Sequence, residues 1–120
     1  MKIHKSSEDY LETILILQEK NKVVRAIDIC EDMNFSKPSV SIAMKKLREN
    51  GYINVDQNSH ITLTEEGYKI AYKVYEKHQI LTKALMALGV SEEIAKEDAC
   101  KIEHDLSEES FNALKNKFCK

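Results

Sequence analysis

The chain has one proline, three glycines and no tryptophan among its 120 residues. So little glycine leaves no phosphate-cradling loop and no oxyanion-type turn, so the sequence reads as a non-enzyme. Apolar residues never run for the roughly 20 positions that a membrane-crossing helix needs. The opening stretch MKIHKSSEDY also lacks the apolar segment of a signal peptide. The expectation is a cytoplasmic protein with no membrane partner. Cysteine occurs only at positions 30, 100 and 119, an odd number with no CxxC pair. That argues against a disulfide framework and against a zinc ribbon, and each thiol is read singly.

What is present is charge, unevenly placed. The net charge of -2 gives no overall signal for nucleic acid. Between Lys37 and Arg48, however, stand four basic residues (Lys37, Lys45, Lys46, Arg48) and no acid. Between Ser91 and Ser110 eight acids face two lysines. One end suits an anion and the other a cation.

Hydroxyl residues followed by acids recur at Ser7-Glu8-Asp9, Thr64-Glu65-Glu66, Ser91-Glu92-Glu93 and Ser107-Glu108-Glu109. A hydroxyl cap with carboxylates in the first turn satisfies free N–H groups and complements the helix dipole, so each marks a helix start. The first helix is expected from about Glu8 to Glu19, with Leu11, Ile14, Leu15 and Gln18 on one face. A short extended piece at Val23-Val24 leads to a second helix, about Ala26 to Met33. Ser36 caps a third, with Pro38 in the first turn, where a missing N–H costs nothing. Val40, Ala43, Met44 and Leu47 form its apolar stripe.

After Gly51 the period changes. Tyr52-Ile53-Asn54-Val55 and Ile61-Thr62-Leu63-Thr64 alternate apolar and polar residues around the turn residues Asp56-Gln57-Asn58-Ser59, the pattern of a β-hairpin. Helix, helix, basic helix, hairpin is the order of a winged helix-turn-helix. A long helix follows from Glu65 to Leu88, then helices at about Glu92 to Leu106 and Glu108 to Phe118. The long helix has more apolar surface than a minimal winged helix needs, which suits pairing with a second copy. The expected fold is mainly α: an N-terminal winged helix-turn-helix with a two-stranded wing (1–64), then a helical dimerisation domain (65–120).

In a helix-turn-helix the second helix of the motif enters the major groove. The outward positions are Ser36, Lys37, Pro38, Ser39, Ser41, Ile42, Lys45 and Lys46. Hydroxyls bond bases or phosphates, Pro38 and Ile42 suit thymine methyls, and lysines suit phosphates. Binding to a double-stranded operator would then depend strongly on salt.

Further along, CKIEHDLS places a thiol, a carboxylate and an imidazole at i, i+3 and i+4 (Cys100, Glu103, His104), one face of a helix. Asp9 and Glu12 share a face of the first helix, and His78 lies along the long one. Taken singly, these admit ordinary roles: a dipole complement (Asp9), a surface imidazole (His78), a small core hydrophobe (Cys100) and an acidic rim (Glu103). Cys30, Cys119, His4 and His60 are read as structural or surface residues, His60 standing in the wing where a phosphate could reach it.

The stretches SSEDYLETI, SKPSVSIAMKKL, GYI followed by ITLTEEG, KHQIL and ACKIEHDLSEE resemble, in order and spacing, the metal-dependent repressors of the diphtheria-toxin-repressor and manganese-transport-regulator family. The resemblance implies a homodimer that binds a pseudo-palindromic operator when a divalent metal sits between the two parts of each subunit. Carried over by position, Asp9, Glu12, His78 and Glu103 match one ligand set, with the Cys100 carbonyl beside them. Glu12, Glu103, His104 and the Cys100 side chain match a second. The iron branch's accessory site is not carried over, because Thr82 and Lys96 stand where it has acid or imidazole ligands. Ile42 departs from the polar base-reading residue usual there.

Asp9 and Glu12 resemble the manganese branch and Cys100 the iron branch, so Fe2+ or Mn2+ is expected. Co2+, Ni2+ or Zn2+ would bind in vitro, since a thiolate favours softer ions. The expected function is a divalent-metal-responsive repressor of metal-homeostasis genes. The alternative is a winged-helix regulator indifferent to metal, its acidic region a solvated surface.

Overall fold

The computed structural model describes residues 5–21 and 23–118; His4 and Cys119 lie outside them. Six helices and one small sheet follow in the order α1 (Lys5–Asn21), α2 (Ala26–Met33), α3 (Lys37–Glu49), β1 (Ile53–Val55), β2 (Ile61–Leu63), α4 (Glu65–Ala87), α5 (Glu92–Ile102) and α6 (Glu108–Phe118). The chain divides into two compact units, Met1–Tyr72 and Lys73–Lys120. No helix is long and apolar enough to cross a membrane among the described residues.

In the first unit α1, α2 and α3 pack together and α1 also covers β2. Leu11, Ile14, Val24, Ile29 and Val40 are completely buried there, with Leu47 and Ile53 nearly so. α1 is more deeply buried than a one-sided amphipathic helix: Tyr10, Glu12, Thr13 and Leu17 join Leu11, Ile14 and Leu15 inside.

The connection from α2 to α3 is set by Asn34, whose left-handed backbone (φ 57°) lets the Phe35 N–H reach the Cys30 carbonyl at 3.2 Å. Ser36 then caps α3, its Oγ accepting from the Ser39 N–H at 3.3 Å, and Pro38 falls in the first turn. β1 and β2 pair antiparallel, with Asn54 opposite Thr62. The extended piece at Val24 adds a bridge to Ile61, whose N–H donates to the Val24 carbonyl at 2.7 Å. Apolar Ile53 and Ile61 point inward and their neighbours outward, as the alternation predicts.

In the second unit Val74, Ile80, Leu81, Ala84, Ala95, Ala99 and Phe111 are buried. Gly89 (φ 102°) ends the turn after α4, with its N–H bonded to the Met86 carbonyl at 3.0 Å. α5 is shorter than the sequence predicts, stopping at Ile102 and not Leu106. Glu103 and Asp105 would put negative charge at the negative end of the helix dipole, and Ser107 already caps α6 by accepting from the Ser110 N–H at 3.1 Å.

Candidate nucleic-acid face and candidate metal ligands

The eight residues expected to face DNA are all exposed on or beside α3. Ile42 is the most exposed large apolar side chain among the described residues of the first unit, at 59%. The Ser36 hydroxyl is partly committed: it caps α3 and also donates to the Ser39 hydroxyl at 2.9 Å. Lys37, Lys45 and Lys46 stand on the exposed face with no acidic residue anywhere in α3 before Glu49.

Between α3 and the wing lies a cleft of about 280 Å³ lined by Ser41, Lys45, Arg48 and Ser59 over a floor that includes Met44 and Ile61. Beside it the wing is tied to the start of α2. The Arg25 guanidinium donates to His60 Nε2 at 3.0 Å, and His60 Nδ1 lies 3.5 Å from Asp56. Asp56 also accepts from the backbone N–H groups of Asn58 (2.8 Å) and His60 (2.9 Å). These bonds, with that of the His60 N–H foremost, hold its carboxyl below the ordinary value of 3.8. Arg48 was counted in the basic segment but not among the DNA-facing residues, and Arg25 was not singled out from the sequence. Only the fold brings Arg25 to the wing, 35 residues away along the chain.

Asp9 and Glu12 lie one turn apart on α1, Glu12 buried and Asp9 half-buried. Because α1 is already helical at Lys5, Asp9 lies beyond its first turn, where Glu8 is the acid. A dipole complement is therefore a poor account of Asp9.

In the second unit α4 and the end of α5 bring three of the expected ligands together. The Glu103 side chain is completely buried, with His78 Nδ1 3.1 Å from its Oε2 and His104 Nε2 3.4 Å from its Oε1. The 3.1 Å contact is a hydrogen bond, whereas Glu103 Oε1 is buried with no hydrogen-bond partner. An acidic-rim reading of Glu103 is thus excluded. Burying a carboxylate with one oxygen unsatisfied is costly unless a cation compensates it. A carboxylate between two imidazoles is a donor set that suits a divalent transition ion, so these residues fit the expected metal.

Cys100, one turn before Glu103, is exposed and is no core hydrophobe. Cys30 is the buried thiol. Thr82, one turn beyond His78 on α4, has a buried hydroxyl with no hydrogen-bond partner. Lys96 pairs with Glu92 at 3.1 Å on the outer side of α5.

A basic helix-turn-helix followed by a two-stranded wing defines a winged-helix DNA-binding protein. Comparison with known proteins makes that class specific. A family model described as the N-terminal DNA-binding domain of iron-dependent repressors matches residues 2–61, and one described as their metal-binding and dimerisation domain matches residues 64–118. The chain belongs to the iron-dependent repressor family, a family of metal-responsive, DNA-binding transcriptional repressors.

It is 39% identical over 112 residues to an uncharacterised HTH-type transcriptional regulator of Methanocaldococcus jannaschii, spanning 92% of this chain and 90% of that protein. It is 37% identical over 108 residues to the transcriptional regulator MntR of Escherichia coli, spanning 90% of this chain and 70% of that one. Among solved structures it is similar to the manganese regulator SloR, at 31% identity and a TM-score of 0.81 over 97% of this chain. The chain spans about half of SloR, 54% of its length.

Proposed function

We propose that this protein represses transcription in response to Mn2+ or Fe2+, with Asp9, Glu12, His78, Cys100, Glu103 and His104 as the ligands. DNA binding is assigned to residues 1–64, with contacts from Ser36, Lys37, Pro38, Ser39, Ser41, Ile42, Lys45 and Lys46. Metal binding and homodimer formation are assigned to 65–120. The observation that carries the reading is Glu103, buried between His78 and His104 with one oxygen lacking a hydrogen bond.

A divalent ion bound there supplies the positive charge that such a carboxylate lacks. Asp9, Glu12 and Glu103 are three negative charges that repel one another when assembled without it. Their assembly is therefore coupled to metal, and with it the arrangement of two recognition helices in a dimer. Those helices must meet major-groove faces about 34 Å apart on a two-fold symmetric operator. Metal and DNA then raise each other's affinity. The manganese-named neighbour supports Mn2+, and the thiol of Cys100 is the feature that supports Fe2+.

The test is a DNA-binding titration on a duplex selected in vitro with the wild-type protein, repeated with Mn2+, anaerobic Fe2+, Co2+, Ni2+ and Zn2+. The expected result is an affinity gain of about 5- to 150-fold with at least one metal, absent in a folded His78→Ala dimer. Affinity indifferent to every metal would leave the metal-independent regulator as the better reading.

A further inference from the structure

The recognition helix and α4 share one capping structure. At the end of α3 the Gly51 N–H bonds the Arg48 carbonyl at 3.1 Å and the Tyr52 N–H bonds the Leu47 carbonyl at 2.9 Å. Gly51 stands at φ 80°, where a side chain would be strained. The next carbonyls are taken up from α4's side. Thr64, the residue before α4, donates from Oγ1 to the Gly51 carbonyl at 2.7 Å and accepts on the same oxygen from the Gly67 N–H at 3.1 Å. Its own N–H bonds the Tyr52 carbonyl at 3.1 Å.

An ordinary N-cap uses only the acceptor half of its hydroxyl. Here the donor half is used on Gly51, two residues past the end of α3. Gly67 leaves no slack beside it, because a Cβ at that position would stand 1.9 Å from the Tyr52 carbonyl oxygen. The end of α3 and the first turn of α4 thus meet through backbone groups and the Thr64 hydroxyl.

We infer that Thr64 is a positioning residue that passes the metal-bound state of α4 to the recognition helix. α4 runs unbroken from Glu65 to Ala87 and bears His78 eleven residues beyond Gly67, about 16 Å along the helix. In this proposal a change at His78 is carried along α4 to its first turn. The Thr64 hydroxyl makes the end of α3 follow in turn. Thr64 is neither one of the proposed metal ligands nor one of the proposed DNA contacts. The inference rests on the metal-responsive reading and adds the route of coupling.

Thr64→Val keeps the side-chain shape and removes both hydroxyl bonds, whereas Thr64→Ser restores them. Free-Mn2+ measurement by electron paramagnetic resonance gives the metal affinity without DNA, and anisotropy on the in vitro selected duplex gives DNA affinity with and without Mn2+. For Thr64→Val the Mn2+ affinity of the DNA-free protein should stay within about twofold of wild type. Its Mn2+-dependent gain in DNA affinity should fall by about fivefold, with Thr64→Ser near wild type. Amide exchange at Gly67 should quicken in the valine variant alone.

A Thr64→Val protein that keeps the full gain overturns the inference and leaves the metal-responsive reading intact. So does an equal loss of DNA affinity with and without Mn2+, which would make Thr64 a support of the DNA-binding unit only. A wild-type protein with no gain from Mn2+ or any other ion would overturn both.

Discussion

The two units bury different things. In the first, the completely buried side chains are the large aliphatics Leu11, Ile14, Val24, Ile29 and Val40, with the single alanine Ala71. In the second they are Ala95, Ala99 and the carboxylate of Glu103, while Leu88 is 78% exposed and Met86, Ile94 and Ile102 are also open. The first unit has the core of an independently stable domain. The second places charge where a core would have a methyl group and leaves apolar surface outside, which is how a region looks when ions and other chains complete it. Apolar exposure by itself does not separate the units, since the first leaves Val23, Ile27, Phe35, Ile42, Tyr68 and Tyr72 open; the completely buried carboxylate and the exposed Leu88 do.

Glu103→Leu breaks this contrast most directly. By giving the second unit an aliphatic core residue, it should lower Mn2+ affinity by at least about 100-fold. It should also stabilise the metal-free protein by about 1–3 kcal/mol, because a buried charge and an unsatisfied acceptor are both removed. Paired Mn2+ titration and metal-free thermal unfolding measure the two effects. A less stable metal-free variant would mean that Glu103 serves mainly as the structural partner of His78.

Gly67→Ala probes the first unit's opposite character. In an exposed helix this change gains about 1 kcal/mol. Where the new methyl group meets the Tyr52 carbonyl oxygen at 1.9 Å, it should instead cost about 2 kcal/mol through overpacking. Urea unfolding measures it. An unchanged or raised midpoint would show that the junction can open, and that the first unit is less tightly specified than its core implies.

How much of this was legible beforehand follows the same divide. Local chemistry announces the elements: α2 runs from Ala26 to Met33 as expected, and Ser36, Pro38 and the turn around Asp56–Ser59 mark α3 and the wing. These features depend on neighbours within a few residues. The end of α5 was misread by four residues because apolar Leu106 continues the helical period while Glu103 and Asp105 oppose the dipole, and the charges prevail.

The candidate ligands were carried by resemblance more than by pattern. CKIEHDLS could equally have been a solvated acidic edge, and only the fold reveals Glu103 buried against His78, 25 positions away. Thr64 was legible as the cap of α4, but the Arg25–His60 contact and the Thr64 bond to the Gly51 carbonyl had no sequence signal. Each pairs groups distant in the chain through a single atom, and no periodicity encodes that.

The smallest effect separates how the two units hold exposed carboxylates. Asp56 in the first unit and Glu108 in the second both sit below their ordinary values of 3.8 and 4.5. For Asp56 the leading cause is a hydrogen bond from the His60 backbone N–H, and for Glu108 it is the Lys73 side chain. Both lowered groups favour the folded state above their ordinary values and lose that contribution as pH falls through the lowered ones.

A backbone donor is fixed by the fold, whereas the Lys73 ammonium is a mobile charge that salt screens. Raising ionic strength should therefore move Glu108 back toward 4.5 and move Asp56 less. Carboxyl carbon NMR titration at low and high salt reads both groups in one sample. A larger shift at Asp56 would show that the charges of His60 and Arg25, and not the turn's backbone, govern the wing.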